Sequence, residues 1–375
     1  MSLFQSLRDR LRKPHFPEDE TARAASYPDP YPDGWYKVAD SKDLAAGAVR
    51  FVEALGQRWV VFRSDEDDRV GVLDAACPHQ GANLAAGTVK GGCLECPFHK
   101  WRFATDGQTV SVPYAAKFPP SLRARNWPSC ELHGMVLVYY SADRADGGSV
   151  PPPYTLDLID KLSGMVFRGA HDHPRPVRMH LIEFAENSAD FQHFQPLHGR
   201  MHVPWTPWTV PFVNVIHSPT WELDATRSHI SYFYNDAILE VLGRKLPKSS
   251  ARASITFLGP GGVTVFQIDL PKVGSIILFH THLPNKPLEQ TVQFRWYADP
   301  AVPRVLVSYV VGSWISQWRN DIAIWENKVY KDRPMLLPND GPVLRMRRWF
   351  KQFYPTPPSQ KLAMLPTVAA VPEGV

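Results

Sequence analysis

Cys77-Pro78-His79-Gln80-Gly81-Ala82-Asn83 and Cys96-Pro97-Phe98-His99-Lys100-Trp101-Arg102-Phe103 are two short stretches built alike, each offering one thiol and one imidazole. The first reads C-x-H and the second C-x2-H, with sixteen residues between His79 and Cys96. A structural zinc site usually groups its cysteines into one spaced pair and its histidines into another. Here each motif mixes the two ligand types, which suits a [2Fe–2S] cluster with Cys77 and Cys96 on one iron and His79 and His99 on the other. Thiolate is a soft ligand suited to iron–sulfur chemistry, and neutral imidazoles raise the potential above that of an all-cysteine cluster. Cys93 makes a second C-x2-C spacing with Cys96, but a ligand there would break the Cys/His symmetry, so it reads as a small buried residue. Cys130 has no metal-spaced partner and reads as core.

Such a mixed centre is a Rieske-type cluster, and the rest of the chain is long enough to hold more. The sequence has 375 residues, 44% hydrophobic and 21% charged, with a net charge of +4. That length predicts two or three domains with sizeable cores, and so mild a charge excludes nucleic acid as partner. Four cysteines in such a chain are no disulfide scaffold. No stretch reaches the ~20 apolar residues of a membrane span, and the start has no secretory signal, so the expected compartment is cytoplasmic and reducing. Leu3, Phe4, Leu7 and Leu11 recur at helical spacing among Arg8, Arg10, Arg12 and Lys13. That helix packs on its own protein or a neighbouring subunit, or it lies peripherally on a membrane surface.

The organisation follows from composition. Residues 1–34 read as an N-terminal helix and a Pro-rich strap. Residues 35–146 read as a small all-β domain, with apolar runs at Val60–Phe62, Val70–Leu73 and Met135–Tyr140 and turns at Asp65–Asp68 and Asp106–Gly107. Gly147–Pro153 is a linker. Residues 154–375 form a second domain whose strands alternate, as in Phe266-Ile268-Leu270 and Val292-Phe294-Trp296, the pattern of an antiparallel sheet with one buried face. A long helix is expected from about Val305 to Tyr330 and an extended Pro-rich tail from Thr356.

The second domain carries a second ligand set. Asp190 and His193 are i,i+3 and face the same way on a helix, and His198 follows five residues later. Five residues turn an α-helix about 140° out of line, so the two imidazoles meet only if the helix widens or ends, and Pro196 between them predicts a local break. The third ligand of a two-His-one-carboxylate iron site lies far along the chain. Trp314, Trp318, Ile322, Trp325 and Val329 form an apolar helical stripe, and Asp321 sits on it. A carboxylate there is costly unless a metal or partner neutralises it. Glu326 lies off the stripe and reads as solvated. His171/His173 read as an exposed loop, whereas His280/His282 end an apolar strand; both pairs are second-choice candidates for substrate contact.

With these residues in view, the chain resembles the Rieske non-heme iron oxygenases. The two cluster loops carry that likeness. Glu186-Asn187-Ser188-Ala189-Asp190 with His193 and His198, then Asn320–Lys328 and Arg347–Tyr354, resemble the sterol and steroid branch of cholesterol 7-desaturases and 3-ketosteroid 9α-hydroxylase oxygenases, over roughly residues 35–355. The resemblance implies an α+β protein: a small all-β Rieske domain and a helix-grip catalytic domain with an antiparallel sheet and long C-terminal helix, usually in a head-to-tail homotrimer. It implies that His99 faces the neighbouring subunit, that Asp190 bridges to His193, and that Asp190 and Asn187 are catalytic, beside Fe(II) at His193, His198 and Asp321.

No G-x-G-x-x-G follows a strand and no flavin or nicotinamide signature is present. The chain is therefore expected to take electrons from a separate NAD(P)H-dependent reductase, with or without a ferredoxin, docking near Lys90, Lys100 and Arg102. With O2 it would desaturate or hydroxylate a sterol or steroid, cholesterol 7-desaturation first, 3-ketosteroid 9α-hydroxylation or sterol C-4 methyl oxidation as alternatives. A Rieske electron carrier and a sterol-binding protein are the remote readings, the first leaving residues 154–375 unused.

Overall fold

The computed structural model describes residues 20–142, 152–156, 162–270 and 272–355. The N-terminal helix at 3–13, most of the linker and the tail from Thr356 lie outside them. Residues 34–140 build three small antiparallel sheets. One joins Gly34–Asp40, Met135–Tyr140 and Ser129–Leu132; a second joins Val49–Ala54, Gln57–Arg63 and Val70–Asp74. The third, Thr88–Lys90, Cys93–Glu95, Arg102–Phe103 and Thr109–Ser111, carries the cluster loops at its end. Val60, Phe62, Leu73, Leu84, Leu94 and Phe103 fill the core beneath those loops.

The second domain is an eight-stranded antiparallel sheet. From edge to edge its strands are Val166–Asp172, Glu289–Ala298, Gly274–Lys286, Val263–Leu270, Arg244–Leu258, Ile230–Val241, Thr209–Leu223 and Arg200–His202. The helix Arg304–Trp325 crosses it, with Val307, Val311, Ile315, Trp318 and Ile322 buried against Phe266, Leu278, Val292 and Phe294. It ends at Trp325, short of the Tyr330 expected, because the guanidinium of Arg23 takes the carbonyls of Trp325 (2.6 Å) and Lys328 (2.9 Å). That cation caps the negative end of the helix, so the strap before the first domain fixes where the helix stops. The strap is not wholly extended either, since Glu20–Ala25 is helical.

The alternation read for one buried face holds for Val292, Phe294 and Trp296, which are buried while Gln293, Arg295 and Tyr297 are half-buried. The other face does not meet solvent. Val265, Ile277 and Phe279 pack there against Trp35, Leu137 and Tyr139 of the first domain. Arg295 pairs with Asp40 at 3.2 Å, and Tyr297 Oη donates to the His133 carbonyl at 2.8 Å. The first domain thus covers the sheet's back, and the long helix and the ligand-bearing helices take its front.

Candidate metal centres

The two cluster loops are the same turn made twice. The carbonyl of Cys77 accepts from the Gly81 N–H (2.8 Å), and its own N–H donates to Ala82 (2.8 Å). Cys96 accepts from Lys100 (3.2 Å) and donates to Trp101 (2.8 Å). The fifth residue of each turn is left-handed: Gly81 at φ 75° and Lys100 at φ 61°. Glycine adopts that conformation freely, whereas lysine holds it only under constraint. The paired turns set Cys77 and Cys96 side by side and buried, thiol to thiol, and bring the rings of His79 and His99 to 4.6 Å. Trp101 stacks on His79 at 4.5 Å. Burial pushes the Cys77 thiol up to about 11, so a thiolate there needs a metal. His79 Nδ1 is buried without a partner. The donors fit a cluster bound by two thiolates and two outward imidazoles.

Cys93 stands on the strand beside the loop, opposite Lys90, and is buried. Cys130 is half-buried against the core between the domains rather than within it. Cys93→Ala is expected to retain the full acid-labile sulfide of the unmodified protein, measured colorimetrically; lost sulfide would make Cys93 a ligand.

In the second domain the structure brings His193, His198 and Asp321 together, with one ligand atom of each within 4.8 Å of the others. The means differ from a helix that widens or ends between His193 and His198. The helix Leu181–Asn187 stops, a turn carries Asp190, and a five-residue helix Phe194–His198 starts right after His193. Pro196 falls in its first turn, where a missing N–H leaves no bond unmade, so it breaks nothing. Asp190 and His193 therefore do not share a helical face. Instead His193 Nδ1 donates to the Asp190 carbonyl at 2.6 Å, and the Asp190 carboxylate lies 3.9 Å away with its side chain 42% exposed.

That bond makes His193 Nε2 the acceptor nitrogen, and its lone pair, aimed at the site, takes a hydrogen bond from Asn187 Nδ2 at 3.1 Å. His198 Nε2 lies 3.1 Å from Asp321 Oδ1, and its Nδ1 is buried without a partner. Asp321 is 4% exposed, on the buried stripe of the long helix. Burial draws His193 below the ordinary histidine value and outweighs Asp321, which pulls the other way, so that ring is neutral. Two imidazoles and one carboxylate, converging on one point, are a donor set for ferrous iron with open positions.

Other sequence candidates fall elsewhere. His171 is half-buried on a strand, packed on Trp205 and Phe294, while His173 lies in the loop that follows, as expected, with its ring half-buried on Trp318. His280 and His282 are wholly buried and form no wall of the cleft, because Phe184, Phe266 and Trp318 stand between. Burial draws His282 down to about 3. Glu326 is not free in solvent; Arg175 binds it with both nitrogens. The Trp/Pro-rich segment after His202 lies along the long helix, with Trp205 N–H 3.4 Å from the Gly312 carbonyl.

Reading the sequence missed two sets of residues. His217 and Asn235 reach the site from neighbouring strands and have no motif around them. Glu183 and Glu186 are buried against half-buried Lys328 and buried Arg347, and nothing local marks the four as partners because Lys328 and Arg347 lie in charged segments far along the chain. Lys328 Nζ lies 2.6 Å from Glu183 and 3.1 Å from Glu186.

An apolar cleft opens on the three ligands, lined by Phe184, Phe233, Phe257, Phe266, Trp314 and Trp318 among others. Residues 34–136 match the Rieske [2Fe-2S] domain, and residues 146–354 match the 3-ketosteroid 9α-hydroxylase C-terminal domain. The chain belongs to the Rieske oxygenases that carry this C-terminal domain. The oxygenase is 32% identical over 342 residues to a cholesterol 7-desaturase of Xenopus laevis, covering 86% of this chain and 72% of the relative. It is 31% identical over 345 residues to a probable 3-ketosteroid-9-alpha-monooxygenase oxygenase component of Rhodococcus rhodochrous, covering 87% and 81%. Its fold is that of dicamba monooxygenase bound to dicamba, at TM-score 0.59 and 19% identity over 88% of this chain and 98% of the other. A Pseudomonas putida NdmA structure with caffeine gives TM-score 0.60 at 17% identity, covering 84% and 89%. As a Rieske oxygenase it is an oxidoreductase with a [2Fe–2S] cluster and a mononuclear iron.

Proposed function

We propose that the oxygenase oxidises a sterol or steroid, with cholesterol 7-desaturation as the leading reaction and 3-ketosteroid 9α-hydroxylation or C-4 methyl oxidation as alternatives. The observation that carries this reading is the apolar, aromatic-walled cleft ending on His193, His198 and Asp321, a shape for a rigid apolar substrate held over an iron. The relatives named above act on molecules of that kind.

In this reading Cys77, Cys96, His79 and His99 hold the cluster, and His193, His198 and Asp321 hold the iron. The two centres supply electrons and an O2-binding position. The chain's own groups do the rest. Asp190 fixes the His193 tautomer through its carbonyl, which leaves Nε2 as the ligand atom. Its carboxylate points outward, in keeping with a bridge to His99 of a neighbouring copy in a homotrimer. Asn187 Nδ2 bonds to that same His193 nitrogen, so it would have to give up this bond when the iron is held. The aromatic walls exclude water.

Electrons come from a separate reductase, with or without ferredoxin. Lys90, Lys100 and Arg102 all lie within 3.8 Å of Glu95, so three cations share one buried anion beside the cluster and leave a positive face for an acidic donor. Among the described residues no helix is long and apolar enough to cross a membrane; the basic helix at 3–13, proposed to touch a membrane surface, lies outside them.

The test is anaerobic purification, iron and sulfide analysis, and turnover of cholesterol with O2 and a reductase. Roughly three irons and two sulfides per chain, a Rieske EPR signal on reduction and a desaturated product are expected. Two irons and no product would favour an electron carrier. Asp190→Asn keeps the backbone carbonyl that holds His193 and removes only the carboxylate charge of the proposed bridge, so it is expected to keep both metals and cut turnover at least about tenfold, the low end for a group beside a metal ligand. Its single-turnover electron transfer, followed by stopped-flow bleaching of the cluster, should slow to match. Normal rates would remove the bridging role.

A further inference from the structure

We propose that Asn235 reads the polar end of the substrate and selects a hydroxyl over a ketone. The inference rests on the sterol reading above and decides between its two main branches: a 3-hydroxysterol fits and a 3-ketosteroid does not.

Apart from the three proposed ligands, the polar side chains lining the cleft are Asn187, Ser188, His217, Asn235 and Gln317, together with the indoles of Trp314 and Trp318, whose buried N–H groups have no partner among the described residues. Two are committed elsewhere. Asn187 Nδ2 is on His193, and Ser188 Oγ donates to the Ala185 carbonyl at 2.6 Å. His217 Nε2 lies 3.1 Å from the carbonyl of His198. A carbonyl only accepts, so Nε2 bears the proton. A neutral imidazole has one donor and one acceptor, and Nδ1 is therefore the acceptor. Asn235 Nδ2 donates to it at 2.8 Å.

This chain of bonds orients the Asn235 amide. Its NH2 is turned to His217 and cannot flip without setting carbonyl oxygen against the Nδ1 lone pair. What remains is Oδ1, which is buried and has no partner among the described residues. A buried acceptor left unpaired is costly, and in a cleft otherwise walled by aromatic rings its complement must be a donor. A sterol hydroxyl supplies one. At Asn235 a ketone would put oxygen against oxygen with no proton between them, and only by turning to the indole N–H of Trp314 or Trp318 would it find a donor. Gln317 has no fixed hydrogen-bond partner among the described residues and can present either end, so it does not discriminate. Selection of this kind works through the penalty on the wrong ligand as much as through the bond to the right one.

The experiment uses a matched pair, 5α-cholestan-3β-ol and 5α-cholestan-3-one, which differ only at C-3. Each is delivered from cyclodextrin to the full-length, metal-loaded oxygenase, and Kd is measured by equilibrium dialysis with radiolabelled sterol. The alcohol is expected to bind about tenfold more tightly, the equivalent of one good hydrogen bond. Asn235→Leu should bring the ratio to about one by weakening the alcohol while leaving the ketone unchanged. A residue that merely supports the strand would weaken both alike. Equal or tighter ketone binding in the unmodified protein overturns the proposal and leaves the sterol reading standing, as does an unchanged preference in Asn235→Leu. If neither compound binds, the sterol reading falls and takes this inference with it. The unmodified protein suffices should the leucine variant not fold.

Discussion

Asp321→Ala is expected to empty the mononuclear site while sparing the cluster. Iron should fall from roughly three to two per chain with acid-labile sulfide unchanged, and turnover should drop by more than about 100-fold, since even residues that only orient a metal ligand are worth 10–100-fold. Asp321 is the one carboxylate of the three converging groups, and the other two are imidazoles. Without it, nothing anionic is left to offset a dication in a cleft walled by aromatic rings. The fold should survive, because the long helix keeps Trp318, Ile322 and Trp325 against the sheet. Circular dichroism and the cluster's own EPR signal serve as controls. A variant that kept its third iron and its turnover would place the iron elsewhere.

Arg347→Met is expected to destabilise the second domain by about 3–5 kcal/mol, the usual cost of removing one partner from a buried ion pair. Glu183, Glu186, Lys328 and Arg347 balance two negative charges with two positive ones. Burial pushes the Glu186 carboxyl up, but Lys328 and Arg347 together outweigh it and hold it below the ordinary carboxylate range. Methionine fills much of the arginine's space and leaves that carboxylate with a lysine it must share with Glu183. Urea unfolding followed by tryptophan fluorescence reads the effect. An unchanged midpoint would show that water replaces the guanidinium. Restoring charge balance with Glu186→Gln in the same chain should recover part of the loss. Because Glu186 adjoins Asn187 on the helix leading to His193, the single variant should also hold iron less tightly.

That network shows why some of the site could be read in advance and some could not. Ligands fixed by short-range chemistry leave a pattern. Cys77 with His79 and Cys96 with His99 lie in two turns with the same hydrogen bonding, so each thiol and its imidazole fall within one short local motif. Asp321 stood out because helical periodicity put a carboxylate on a buried stripe. The path from Asp190 to His198 was misread as one interrupted helix, since spacing alone does not show that Pro196 starts a helix rather than breaking one. His280 and His282 were placed near a pocket because they end an apolar strand. Three aromatic side chains from distant segments close them off, and no local signal carries that.

Read alone, the sequence determined the class of each metal centre, the small all-β first domain and the antiparallel sheet with its long helix. These rest on turns, alternation and helical stripes, which are properties of neighbouring residues. Only the tertiary structure decided that the sheet is covered on both faces, that Arg23 ends the long helix, and that Lys328 and Arg347 neutralise Glu183 and Glu186. It alone set His217 and Asn235 beside the cleft, with the amide oxygen turned from His217. Such contacts join residues tens to hundreds of positions apart. Their energy depends on burial and on the direction of each donor and acceptor, which the order of residues along the chain does not record.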